Sequence, residues 1–361
     1  MIVQDATTGS AAAAPSGRLV GDTAWRRLVL GQTAVDFWGR RRIWIAISLV
    51  LLAVTGVSLG FRQLVLGIDF AGGVAWDVPA AQVTIEQAEA ILDDNGLSAS
   101  SAKIQERTSD SGDIIKVQVE DQPSEVRVQL QEAFAAAAGV GVDDVGVESV
   151  SASWGEEITR KAVIALVVFL ALIALYISLR FEWRMALTAI LAMIHDVLIS
   201  VGIYSVFGFE VTPATVVALL TVLGYSLYDS IVVFDRIRDN QRRMASSGYT
   251  AGDLVNVSTN QVLLRSINTT VAAALPVLSL LVVGAWLFGQ ETLREFAIAL
   301  LVGMLTGAYS SLFVAAPLLG WLKQRSPQFK AADRSGRDHL TGDALRAVVI
   351  DGPAGTRAAP G

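Results

Sequence analysis

The residues of this 361-residue chain best suited to chemistry are charged side chains set inside or beside apolar runs. Asp229 stands within Ala214–Phe234, with Tyr225 four residues before it and therefore on the same helical face. His195 and Asp196 are adjacent in the middle of Met185–Gly208. Arg265 stands just before a third run, Thr270–Gly289, followed by Asn268 and Thr269. A charge placed in hydrocarbon is costly and by default marks a functional path. A carboxylate there loses hydration and favours its neutral form, while a nearby cation favours the charged form. A group balanced between the two can bind and release a proton. Asp229 thus reads as a proton-relay carboxylate and Arg265 as its electrostatic partner. His195 and Asp196 form a second polar cluster on the same path, and Tyr225, Asn268 and Thr269 give polar support. Plainer readings stand beside these. An intramembrane Asp also serves to hold helices together by hydrogen bonds, and an Arg at a span end also suits snorkelling to the headgroups.

These residues need elements to position them. Hydrophobic residues make up 53% of the chain and charged ones only 17%, where a soluble domain carries about a quarter charged. The excess falls into six runs close to the roughly 20 residues that a crossing helix needs. They are Ile43–Gly60, Ala162–Leu179, Met185–Gly208, Ala214–Phe234, Thr270–Gly289 and Phe296–Gly320. Arg40, Arg41 and Arg42 precede the first, and Arg180 and Arg184 lie between the second and third. The cluster Arg236, Arg238, Arg242 and Arg243 follows the fourth, and Lys323 and Arg325 follow the sixth. All fall on one side, which the positive-inside rule makes the cytoplasm, with both termini there. Arg160 and Lys161 oppose this and are outvoted. Asp229 lies six residues before Asp235 and so about 9 Å deeper, at 1.5 Å per residue. Trp38, Trp44 and Trp286 read as interfacial anchors.

The long segment Phe61–Glu157 is then extracytoplasmic. It holds 18 acidic against 5 basic residues, a net charge of −13 that argues against a nucleic-acid partner. Within it, Gly73–Val78 reads as a strand, and Thr84 to Gln87 is a capping box opening a helix that ends near Asn95-Gly96. Strands follow at Ala102–Arg107 and Ile114–Glu120, joined by a turn at Ser109–Gly112. A helix from Pro123-Ser124 to Ala138 and a last strand, Val145–Ser151, complete a β-α-β-β-α-β order. The expected fold is therefore an α-helical polytopic membrane protein, with a small α+β, ferredoxin-like extracytoplasmic domain between its first two spans. The expected division is a cytoplasmic N-terminal tail at 1–42, the first span at 43–60, and the outer domain at 61–157. A five-helix bundle at 158–322 and a cytoplasmic C-terminal tail at 323–361 follow. The tails, rich in Ala, Gly, Arg and Asp beyond Ser326, read as loosely structured.

Gly67–Gly73, Arg180–Arg184, His195-Asp196, Tyr225–Arg238 and Arg265–Thr270 resemble, in that order, motifs of the SecD/SecF family of bacterial protein-export membrane proteins. Gly67-Ile68-Asp69-Phe70-Ala71-Gly72-Gly73 looks like the signature after the family's first span, with Ala71 where many relatives carry Thr or Ser. Gly67, Asp69, Gly72 and Gly73 are its marked residues. On physical grounds alone its paired glycines also suit an ordinary tight turn. The resemblance covers roughly Ile43 to Trp321. Its outer segment of about a hundred residues resembles SecF rather than SecD or a fused SecDF protein. The resemblance implies an accessory subunit of the Sec translocon in the bacterial inner membrane, paired with SecD. It also implies association with the SecYEG channel and YajC, contact with translocating preprotein and membrane lipid, and use of the proton motive force.

Other classes are thinner. The chain has no cysteine and only two histidines, His195 and His339, so thiolate chemistry and a histidine-rich metal site are excluded. It carries no phosphate-binding loop with a Lys, no paired-histidine metal motif and no Gly-x-Ser-x-Gly elbow, so neither an enzyme nor a cofactor is expected. Energy must come from an ion gradient or a partner. The alternatives are a proton-coupled small-molecule or lipid exporter of the resistance-nodulation-division type, and a structural assembly factor with no proton role.

Overall fold

In lipid every backbone polar group must be satisfied within the chain, and an apolar helix does this by itself. The computed structural model describes residues 23–109, 112–245, 247–287, 290–334 and 338–352. In it the six apolar runs coincide with six helices long and apolar enough to cross a membrane, four of which extend past the run at both ends. In chain order, a short helix α1 (Ala24–Val29) precedes α2 (Arg41–Phe61), the first of the six. Strand β1 (Val65–Leu66), a single-turn helix α3 (Ile68–Ala71), strand β2 (Gly73–Pro79) and helix α4 (Ile85–Asp94) follow. Strands β3 (Lys103–Ser109) and β4 (Gly112–Val119), helix α5 (Ser124–Ala138) and strand β5 (Gly146–Val150) complete the segment between the first two spans. Then come α6 (Ala152–Arg180), α7 (Trp183–Phe207), strand β6 (Glu210–Val211), α8 (Pro213–Met244) and α9 (Ala251–Ser279). The last helices are α10 (Glu291–Ser310), α11 (Ala316–Gln324), α12 (Pro327–Arg334) and α13 (Gly342–Asp351). The fifth and sixth spanning helices contain π-helical stretches, Leu280–Leu287 and Ser311–Ala315.

The chain divides into two compact units. One comprises Ile43–Ser230 and Asn268–Ala315. Its four-stranded sheet has the order β3-β4-β2-β5, with every neighbouring pair antiparallel. Val74, Trp76 and Val78 of β2 and Ile115, Val117 and Val119 of β4 point to one face. There they form a core with Ala88 and Leu92 of α4 and Leu130 and Phe134 of α5. The helices begin and end where the local chemistry dictates. Thr84 and Gln87 make a reciprocal capping box at α4, with bonds of 2.9 and 3.3 Å. Gly139 ends α5 in the left-handed conformation. The turn predicted between β3 and β4 falls at 110–111, outside the described residues.

Small residues set the helix spacing in this unit. A methyl group on Gly307 of α10 would lie 2.6 Å from Ser226 Cβ of α8. Gly202 of α7 likewise leaves room for Thr55 of α2. Trp44 of α2 is half-buried, its ring 4.4 Å from that of Phe313. The side chain of Trp286 lies outside the described residues.

The other unit comprises Met1–Arg42, Ile231–Ile267 and Ala316–Gly361, and here the structure departs from the sequence reading. Trp38 is not an interfacial anchor. It is 4% exposed and packs on Gly252 and Gly320, while its backbone N–H donates to Asn256 Oδ1 at 2.8 Å. Asn260 exchanges two 2.8 Å bonds with the backbone of Val35, pairing with it as a strand would. Nor is the segment that follows Ser326 wholly loose. Segment 327–351 holds two helices, with Phe329 and Leu345 fully buried. Asp36 meets His339 at 3.1 Å, and the Leu340 N–H donates to Asp253. Composition misses this because the anchoring residues are few and their partners lie 87 to 303 positions away. Of the basic residues read as topology signals, Lys323 is 1% exposed with its Nζ 2.6 Å from Gln241 Oε1, and Arg236 donates to Gln261 at 2.7 Å.

Candidate functional site

Two carboxylates are buried in the bundle of the first unit. Asp196 of α7 is 2% exposed and Asp229 of α8 is 4% exposed. Each is held by a hydroxyl from a neighbouring helix. Ser226 of α8 donates to Asp196 Oδ2 at 2.6 Å. Ser311, at the start of the π-helical stretch that follows α10, donates to Asp229 Oδ2. Ser226 and Asp229 are three residues apart and share a face of α8, so one helical face carries a partner for one carboxylate and the other carboxylate itself. The close approach permitted by Gly307 brings Ser310 and Ser311 to this face. The π-helical stretch matters too, because a widened turn shifts the register of the side chains that follow and often sits at functional positions.

His195 extends the cluster. Its Nδ1 lies 3.2 Å from Asp196 Oδ1, and its ring faces Tyr309 of α10 at a centroid distance of 6.3 Å. Its Nε2 is buried with no hydrogen-bond partner among the described residues. An imidazole with one nitrogen on a carboxylate and the other unengaged can pass a proton from one side to the other. Tyr309 in turn bonds Ser48 and the carbonyl of Trp44, both on α2, at 3.1 and 3.2 Å. Tyr225 reaches Thr270 of α9 at 3.4 Å. Beside Asp196 and Ser226 lies a cavity of about 270 Å³, lined otherwise almost wholly by apolar side chains of α6, α7 and α8.

The structure thus brings His195 and Asp196 together and places Tyr225 and Asp229 on the same helix, with Tyr225 against the fifth spanning helix. Asn268 is exposed, Thr269 is half-buried, and Thr270 is the residue of that group which bonds Tyr225. Arg265 lies on α9 within the second unit and is exposed, so its pairing with Asp229 rests on the sequence. Ser226, Ser311 and Tyr309 are the participants that the sequence does not single out. Their only signal is being polar within an apolar run.

The motif Gly67–Gly73 forms a junction, not merely a turn. Gly67 has φ −66°, which any residue can adopt, so its glycine answers to space. A methyl group there would lie 2.7 Å from Glu210 Oε1 of β6. Strand β1 pairs in parallel with β6, and the Gly67 N–H extends the pairing to the Val211 carbonyl at 2.9 Å. Gly72 and Gly73 have φ of 70° and 108°, which favours glycine. A methyl group on Gly72 would lie 2.8 Å from Ala152 Cα at the start of α6, and one on Gly73 would run into the Val119 carbonyl. The first two spans, the sheet and the turn between the third and fourth spans therefore all meet at this motif. Asp69 sits among them. Burial pushes its carboxyl above the ordinary value, Glu148 adds to the shift and Lys116 opposes it.

Comparisons with known proteins fit this arrangement. A family model described as protein export membrane protein SecD/SecF, C-terminal, matches residues 130–325. The protein translocase subunit SecF of Streptomyces coelicolor is 39% identical over 311 residues, covering 86% of this chain and 82% of that one. The subunit of the same name from Mycobacterium tuberculosis is 39% identical over 335 residues, covering 88% and 76%. The crystal structure of SecDF, a translocon-associated membrane protein from Thermus thermophilus, matches with a TM-score of 0.71 at 35% identity. That match covers 82% of this chain and 40% of the longer one.

Proposed function

The chain belongs to the SecD/SecF family of protein export membrane proteins and is a multi-pass accessory subunit of Sec protein translocation, and from that premise we propose how it works. It sits in the bacterial inner membrane with both termini in the cytoplasm, pairs with SecD and associates with the SecYEG channel. That a related chain carries the name SecDF supports the first pairing. The four-stranded sheet and its two helices form a ferredoxin-like domain on the outer side, which holds emerging preprotein. The all-antiparallel order β3-β4-β2-β5 with one helix in each crossover supports that fold.

The observation that carries the mechanism is the pair of buried carboxylates, each bonded by a serine from a neighbouring helix. A proton reaching Asp196 or Asp229 removes a charge from a low-dielectric interior and changes what the serine donates to. The balance between α7, α8 and the sixth spanning helix then shifts with protonation. His195 passes protons to Asp196. One charge crossing the membrane releases about 2.3 kcal/mol per 100 mV, enough to bias helix positions separated by a few kcal/mol. The relatives are named as translocase subunits, which does not favour the exporter reading. Depleting the chain in its host and following a pulse-labelled secreted precursor tests the role. Slowed signal-peptide removal, restored by the chain, supports it, and normal processing throughout overturns it.

A further inference from the structure

The sheet has a second face, and the alternation along β4 assigns it to solvent. Ile115 and Val117 point to the core, so Lys116 and Gln118 point away from it. Both are nevertheless only 9% exposed. Gln118 reaches the carbonyl of Gly72 at 3.5 Å. Lys116 Nζ lies 3.9 Å from Glu210 Oε1 and 3.6 Å from Glu148 Oε2. The side chains of Lys116 and Glu210 are 11% and 7% exposed, while that of Glu148 is 57% exposed. The strongly desolvated contact is therefore the one that leaves the sheet and reaches the bundle.

The position of Glu210 gives this contact its meaning. It lies in the short connection between α7, which carries Asp196, and α8, which carries Asp229. The β1–β6 pairing holds that connection to the strand leaving α2, and Gly67 leaves the space that the Glu210 carboxylate occupies. Lys116 continues the chain of contacts into the sheet itself. We propose that the Lys116–Glu210 pair is a positioning link that transmits movement of the two carboxylate-bearing helices to the outer domain. This rests on the proposed export role and names the residues through which the bundle acts on that domain. A buried ion pair suits such a link, because its geometry must be good to offset desolvation, and losing one partner is strongly felt.

A merely structural lysine, present only to neutralise a buried carboxylate, makes a different prediction from a link. Removing both charges cures the first case and leaves the second broken. The test follows pulse-labelled precursor processing in cells depleted of the native chain, with protein level and protease resistance as controls. Lys116→Met and Lys116→Met/Glu210→Gln should both slow processing by about fivefold, at the low end of couplings between linked sites. Lys116→Arg should process as wild type. The chain has no cysteine, so Leu66→Cys/Val211→Cys adds the only thiols, on partner residues of the β1–β6 pair. Neighbouring strands lie about 4.8 Å apart, within the span of a disulfide. That disulfide, added to the double variant, should restore part of the rate, and reductant should abolish the gain. Wild-type processing by Lys116→Met/Glu210→Gln overturns the link. If Asp229→Asn is slow in the same cells, the export reading survives that result. Normal processing on depletion overturns both.

Discussion

Replacing Gly307 with alanine should cost more activity than stability. An added Cβ would lie 2.6 Å from Ser226 Cβ and 2.8 Å from its Oγ, well inside contact distance. Both residues sit on spanning helices, so neither backbone can give way alone. Overpacking of this kind costs about 1–3 kcal/mol. Alanine's better helix propensity returns about 1 kcal/mol, leaving a net loss of roughly 0–2 kcal/mol in stability. Function suffers further, because the displaced hydroxyl is the one that donates to Asp196 at 2.6 Å. A hydrogen bond to a charged group contributes about 1.5–3 kcal/mol, and losing it unsettles the carboxylate the mechanism needs. Gly224→Ala on α8 is the control, since nothing lies within 4 Å of a methyl group there. Thermal unfolding of purified protein in detergent and precursor processing in depleted cells give the two readouts. Gly224→Ala should match wild type in both. Gly307→Ala should melt slightly lower and process several times more slowly, by about tenfold if 1.4 kcal/mol is lost at the site. Indistinguishable behaviour of the two alanines would refute the packing argument.

Other perturbations give separate checks. Trp38→Ala should destabilise the second unit by about 3–5 kcal/mol, the usual cost of emptying a fully buried aromatic site, and lower the melting temperature far more than Trp44→Ala. Ser311→Ala should slow processing and lower the melting temperature modestly, because it removes a donor to the buried Asp229 without opening a large cavity. Burial alone would raise the Asp36 carboxyl, but the Gly39 N–H, His339 and Asn256 outweigh it and hold it below the ordinary value. A carboxyl lowered on folding adds stability above its unfolded pKa and loses it as pH falls through the folded one. The melting temperature should therefore drop as pH falls below about 4, and Asp36→Asn should lack that part of the drop.

The parts legible in the sequence were those governed by local rules. The six spans follow from apolar runs with no alternative means of burial. The helix at Ile85 follows from Thr84 and Gln87, and the end of α5 from a glycine that can turn left-handed. Carboxylates in hydrocarbon are conspicuous by their cost, so Asp196 and Asp229 stood out, but a serine among valines does not. Ser226 and Ser311 matter only because particular helices meet, and Gly307 sets where they meet. Helix α8 continues ten residues past Phe234 through charged residues, where hydropathy is silent. Strand β6 is two residues long, too short for any periodicity, yet it ties the bundle to the chain leaving the first span. Lys116 followed the alternating pattern faithfully. The pattern could not say that its polar face would be covered by another part of the same chain.

On the proposed mechanism, a proton on Asp229 does work in export. The most direct measurement compares pulse-labelled precursor processing in depleted cells carrying wild type or Asp229→Asn, with the proton gradient intact and then dissipated by an uncoupler. Asp229→Asn should process slowly even with the gradient intact, and respond less to the uncoupler than wild type does. Wild-type rates in Asp229→Asn, with the full wild-type response to the uncoupler, would contradict that mechanism.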